Sequence, residues 1–148
     1  MIQGKARYAK IVGRPGDGFE PGEKNKEWSF DLVLNQPEID KLAEEGINSI
    51  KEKDGVRFIR FKRKAYKSDG EAAKPIKVVD RFGNDWNMTK WIGNDSVLNV
   101  KYGVREWEYG KKKGTSADVI AVQVWEHVPY EGGEQFPQAI KEDWKEEV

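Results

Sequence analysis

Residues 97–128 constrain the fold more than any other part of this chain. They read VLNVKYGVREWEYGKKKGTSADVIAVQVWEHV, two alternating segments on either side of a tip. In the first, Leu98, Val100, Tyr102 and Val104 fall on one face, and Asn99, Lys101, Gly103 and Arg105 on the other. In the second, Ile120, Val122, Val124 and Val128 oppose Ala121, Gln123, Trp125 and His127. Alternation with period two marks strands buried on one side. Two such strands in succession predict a hairpin whose apolar sets are core and whose Lys101, Arg105 and Trp125 face outward.

The rest of the chain adds strands of the same kind. Residues 2–12 form a first strand of mixed alternation, and residues 13–26, rich in Pro, Gly and charge, form a loop. In residues 27–34, Trp28, Phe30, Leu32 and Leu34 share a face. The period then changes. Asn35, Pro37 and Glu38 make a capping-box-like start to a short helix within residues 35–50. Ile39, Leu42 and Ala43 are its apolar stripe, Gly46 its stop, and Ile47 and Ile50 pack nearby. Asp54-Gly55 is a turn, and residues 56–65 are a strand with Ile59 and Phe61 inward. A further strand over residues 76–80 leads into a turn at residues 81–85, which Asp85 is expected to shape.

Composition narrows what such a sheet can do. The chain has 148 residues, enough for one domain with a real core, and 35% of them are charged. There is no cysteine and a single histidine, His127, which leaves almost no material for thiolate chemistry, a zinc site or a Ser-His-Asp triad. The acids show no calcium-loop spacing, and the glycines of residues 13–22 do not follow a strand at nucleotide-binding spacing. The expectation is no enzyme, no cofactor and no metal. No apolar run reaches the ~20 residues that span a bilayer, and residues 1–12 lack a signal-peptide core, so a cytoplasmic protein without membrane contact is expected.

The formal net charge of zero hides a division. Residues 131–148 carry six acids and two lysines, net −4, against +4 for residues 1–130. The expected organisation is a barrel domain over residues 1–130 and an acidic tail over residues 131–148. Residues 56–77 alone hold eight bases and two acids. A basic body with an acidic end suits charge-driven partners.

At the hairpin tip, Trp107 and Tyr109 share strand parity and precede Lys111, Lys112 and Lys113. Flat π-faces beside cations suit unstacked bases on a phosphate backbone. The structural alternative is that the rings close the end of a barrel and the lysines only solubilise a turn. Arg60, Lys62, Lys64 and Tyr66 form a second basic-aromatic run, which Lys101 and Arg105 extend. Trp125 is either an exposed platform or a barrel-end plug. Trp28 is expected in the core, Trp86 and Trp91 over the barrel base, and His127 as a plain strand residue.

Five or more antiparallel strands with one short helix predict a mainly β protein, an OB-fold Greek-key barrel. The segments VVDRFGNDW and WIGNDSVLNVKYGVREWEYGKKKGTSADVIAVQVWEHV resemble the OB-fold single-stranded-DNA-binding proteins of double-stranded-DNA bacteriophages, those of the short-tailed coliphages among them. The matching pieces are Val78-Val79-Asp80, Gly83, Ile92-Gly93, Leu98-Asn99-Val100-Lys101-Tyr102, Trp107-Glu108-Tyr109 and Val122 to Glu126. WSFDLVLNQPEIDKLAEE and FIRFKRKAY stand in the matching order, so the resemblance covers roughly residues 27–128 in pieces. It implies a barrel with its helix after the second long strand, and sequence-tolerant binding of single-stranded DNA in phage replication or recombination. It also implies base stacking on Trp107 and Tyr109. The family's acidic tail is longer; here the chain ends in Glu146-Glu147-Val148, with Trp144 four residues from the end.

The expected partner is single-stranded DNA, with replication proteins as possible partners of the tail, and a monomer or weak homodimer as the oligomeric state. Two other readings stay open at this point: an RNA-binding barrel, since the same stacking surface accepts RNA, and a protein-interaction barrel without nucleic-acid binding.

Overall fold

The computed structural model describes residues 1–13, 15–17 and 26–130. Eight strands and one helix follow in the order β1 (Ile2–Lys10), β2 (Gly16–Asp17), β3 (Lys26–Val33), α1 (Gln36–Glu44), β4 (Lys51–Lys53), β5 (Val56–Lys64), β6 (Lys77–Val79), β7 (Val97–Tyr109) and β8 (Lys112–Glu126). The five long strands are those expected from alternation. β6 falls within the strand expected over residues 76–80, and the additions are short: β2 inside the loop after β1 and β4 before the Asp54-Gly55 turn. The acidic residues 131–148 lie outside the described residues.

One sheet runs β4-β5-β3-β1-β7-β8-β6, with β2 on β3. All pairings are antiparallel except β6 with β8, so the sheet is mixed. β1 sits between β3 and β7, which is the Greek-key step, and α1 follows the second long strand. No ladder joins β5 to β8. Arg63 crosses that seam instead, its guanidinium donating to the carbonyls of Lys74, Pro75 and Val119. The sheet thereby curls into a barrel, the OB fold.

The inner faces fill it. Phe30 and Phe61 stack with centroids 5.2 Å apart, among Ile2, Leu32, Ile59, Leu98, Val100, Val122 and Val124, all buried. Trp28 is buried as expected, its Nε1 donating to the Gly13 carbonyl at 3.2 Å. Leu42 carries the helix into the core, and Ile39 and Ile50 are half-buried against it, but Ala43 is exposed. The helix is short enough that one side chain of the expected stripe does the anchoring.

The helix ends also differ from the reading of the sequence at one terminus and match it at the other. Asn35 has extended backbone at the N-cap and makes no side-chain cap, so the capping box is absent; Pro37 does occupy the first turn. At the C-terminus Gly46 takes φ 84°. Gly46 N donates to Ala43 O and Ile47 N to Leu42 O at 2.9 Å, a Schellman motif with Leu42 and Ile47 buried together.

Two expectations for β8 are corrected, one of them by a bulge. The pairing to β7 slips between Val97 and Leu98 and between Lys101 and Tyr102, leaving Trp125 and Ile120 as extra residues on β8. A bulge turns the following side chains over. Val119, not Ile120, is therefore buried, and Ile120 is exposed; Val128 lies past the strand and is also exposed. At the turn after β6 the shaping residue is Asp80, not Asp85. Its Oδ1 accepts from both Phe82 N and Asn84 N at 2.9 Å, with Gly83 at φ 87°.

Candidate nucleic-acid interface

The first surface lies on the outer face of β1, β3 and β5. Register sets it in rows: Arg60 opposes Asp31, which opposes Arg7, and Lys62 opposes Ser29, which opposes Lys10. Neighbouring strands are about 4.8 Å apart, so two columns of cations stand ~10 Å apart across a strip of small or acidic residues. Lys64 continues the β5 column opposite Glu27, and Lys5 the β1 column opposite Val33.

A bulge makes the β1 column possible. Between Arg7 and Lys10 the register to β3 shifts, and Tyr8 takes φ 53°. Simple alternation would send Lys10 inward after Arg7; the extra residue returns it outward. Positive φ is costly for a bulky non-glycine residue. Here it is held by Tyr8 N donating to Asn94 Oδ1 at 2.8 Å. The Tyr8 ring is left 65% exposed between Arg7 and Lys10. The sequence reading did not select Arg7, Tyr8 or Lys10, although the string Arg7-Tyr8-Ala9-Lys10 has the same basic-aromatic character as FKRKAY.

The second surface is the β7–β8 hairpin. Its turn is Gly110-Lys111, with Tyr109 paired to Lys112 and Gly110 at φ 63°. A two-residue turn with glycine first matches the twist of the flanking strands. On one side stand Lys101, Arg105, Trp107 and Tyr109 from β7, with Lys112, Gly114, Ser116 and Asp118 from β8. Tyr109 is 83% exposed and Trp107 is 38% exposed. The Trp107 ring lies on the backbone of its cross-strand partner Gly114. The rings therefore do not plug the barrel. The three tip lysines divide: Lys112 shares the aromatic side, Lys113 opposes Glu108 on the reverse side, and Lys111 is in the turn.

Electrostatics distinguish the arginines from the lysines. Arg60 grips the buried Asp31 through two bonds, at 2.7 and 3.1 Å, and that hydrogen bond raises its pKa. Arg105 binds Asp118 at 2.6 Å, with the same effect and cause. Arg7 stands 3.8 Å from Asp95. Lys62, Lys64, Lys101 and Lys112 are exposed and hold no carboxylate among the described residues.

Two of the selected residues stand apart. Tyr66 is half-buried, packed against the core and bridged to Ala72. Trp125 lies at the far end of β8 from the tip, with the Arg81 guanidinium 4.5 Å from its ring centroid. It is an outward platform already carrying a cation. Trp86 is half-buried, edge-on to His127 at 5.0 Å, while Trp91 is exposed. Among the described residues no group of His, Cys, Asp or Glu could hold a metal, and no helix is long and apolar enough to cross a membrane.

No protein-family model matches this chain, and no curated protein does. Solved structures match over most of its length. The single-stranded DNA-binding protein gp2.5 encoded by bacteriophage T7 aligns with a TM-score of 0.64 at 20% identity, covering 91% of this chain and 94% of that one. The single-stranded DNA-binding protein from bacteriophage Enc34, in complex with ssDNA, aligns with a TM-score of 0.62 at 13% identity, over 88% of this chain and 86% of that one. A second structure of the Enc34 protein gives 0.59 at 12%, over 93% and 85%. The chain has the fold of the phage single-stranded-DNA-binding proteins.

Proposed function

We propose that this chain is a non-enzymatic, sequence-tolerant single-stranded-DNA-binding protein of phage DNA replication and recombination. The observation that carries the reading is the β7–β8 hairpin, where Trp107 and Tyr109 project on one side with Lys112 beside them. Every base has a π-face, so exposed rings hold bases without reading their edges. Lysines without a carboxylate partner are available to phosphates, and each phosphate neutralised releases counterions. The fold likeness to phage single-stranded-DNA-binding proteins, one of them bound to ssDNA, supports the same reading.

A surface of this kind covers about 4–16 nucleotides per barrel. The strand lies along the hairpin and over the cation columns of β1 and β5. The acidic residues 131–148, net −4, compete for the same cations and are freed for replication partners when DNA binds. Deleting residues 134–148 then tightens DNA binding at low salt; unchanged or weaker binding removes this role for the tail.

The test is tryptophan fluorescence on titration with oligo(dT), using the wild-type chain and Trp107→Ala with Tyr109→Ala. Each lost stacking ring costs about 1–3 kcal/mol of binding. Quenching that survives the double substitution at unchanged affinity contradicts the assignment of the rings. Matched DNA and RNA oligonucleotides in competition separate this function from RNA binding.

A further inference from the structure

The arginines of this surface are already occupied by acids of the same chain. Arg60 holds Asp31 with a two-point grip, Arg105 holds Asp118 at 2.6 Å, and Arg7 stands by Asp95. Arg60 and Arg105 both face outward among the lysines, and the Arg105 pair lies on the same hairpin side as Trp107. Stability gives little reason for the Arg105–Asp118 pair, in which both side chains are exposed and such pairs contribute almost nothing, whereas Arg60 satisfies a buried carboxylate. A guanidinium fork binds carboxylate and phosphate through the same planar, two-point geometry. A carboxylate in that fork therefore stands where a phosphate would.

We propose that Asp118 is a built-in stand-in for a backbone phosphate, which single-stranded DNA must displace to engage Arg105. This rests on the reading of the surface as a DNA-binding face. Asp118 divides the hairpin cations into two sets. The free lysines attract the strand and set the salt dependence of capture. Arg105 is released only by a phosphate that outcompetes the resident acid. The chain consequently binds more weakly, and lets go more readily, than its cation count alone would give.

The experiment compares oligo(dT) binding, across a salt series, for the full-length wild-type chain and the variants Asp118→Asn and Asp54→Asn. Asp54 sits in the β4–β5 turn at φ 53°, a conformation asparagine accepts, and pairs with no arginine among the described residues. Its substitution removes the same charge without freeing a guanidinium. Asp118 is exposed, so its variant does not depend on core packing. The expected result for Asp118→Asn is affinity about two- to fivefold higher, with a log–log salt slope steeper by about 0.7 as one more phosphate is engaged. Asp54→Asn changes the slope not at all. Wild-type binding with Asp118→Asn indistinguishable from Asp54→Asn overturns the inference while leaving the function intact. A wild-type chain that does not bind oligo(dT) removes both.

Discussion

Trp107 lies directly across the hairpin from Gly114, and its indole occupies the space a side chain there would need. A Cβ at Gly114 would stand 2.6 Å from Cζ2 and 2.9 Å from Cε2 of that ring. The glycine is thus what allows the ring to rest against the hairpin while staying 38% exposed.

Gly114→Ala tests that relationship. The ring has no flexible end to give way, so the methyl lifts it off the backbone. Overpacking costs about 1–3 kcal/mol, partly offset by the gain of up to ~1 kcal/mol from replacing a strand glycine. Oligo(dT) affinity should fall toward that of Trp107→Ala, with a shifted tryptophan emission maximum. Unchanged affinity and emission would show that the ring's placement does not depend on Gly114.

Tyr109 and Lys112 face each other at the tip and separate the two components of binding. Tyr109→Ala should weaken binding by about 1–3 kcal/mol with the salt slope unchanged. Lys112→Gln should flatten the slope by about 0.7. Neither should move the thermal midpoint, because both side chains are exposed.

Tyr102 ties the hairpin to the end of the helix through a hydrogen bond from its hydroxyl to Glu45. Burial, and then that bond and the Glu45 charge, push the phenol above its ordinary range. The ordinary value is about 10. A phenol raised in the folded state contributes stability that is whole below the unfolded pKa and is lost as pH climbs toward the folded one. Denaturant midpoints should therefore fall more steeply for wild type than for Tyr102→Phe above about pH 10. At neutral pH the variant should cost about 1 kcal/mol. Parallel pH profiles would contradict the assignment.

Arg63 closes the seam between β5 and β8, where no ladder runs. Its replacement by alanine removes charge-assisted bonds to three carbonyls, each class of bond worth about 1.5–3 kcal/mol, and urea unfolding should show a loss of that order. Lys62→Ala, one residue away and pointing outward, should stay within about 0.5 kcal/mol.

What the sequence made legible follows from periodicity. The buried sets Leu98, Val100, Val122 and Val124, and Ile59 with Phe61, were readable because period two holds along those stretches. It breaks where a bulge inserts a residue, and a bulge leaves no compositional trace. That is why Ile120 reads as core while Val119 fills it, and why Lys10 does not read as a companion of Arg7. The tip rings were legible because Trp107, Tyr109 and the lysines are contiguous in the chain. The ion pairs were not: Arg60 meets Asp31 across strands, and Arg105 meets Asp118 around the hairpin. Tyr8 was hidden by its strained backbone, which only the fold reveals.

On the proposed function, exposed rings and the lysines that hold no carboxylate among the described residues grip a flexible polynucleotide rather than a rigid duplex. The decisive measurement is a competition between oligo(dT) and a duplex of equal length at fixed ionic strength. The single strand should displace the duplex with strong preference, and that preference should collapse in Trp107→Ala with Tyr109→Ala. Equal affinity for the two, in the intact protein, would contradict it.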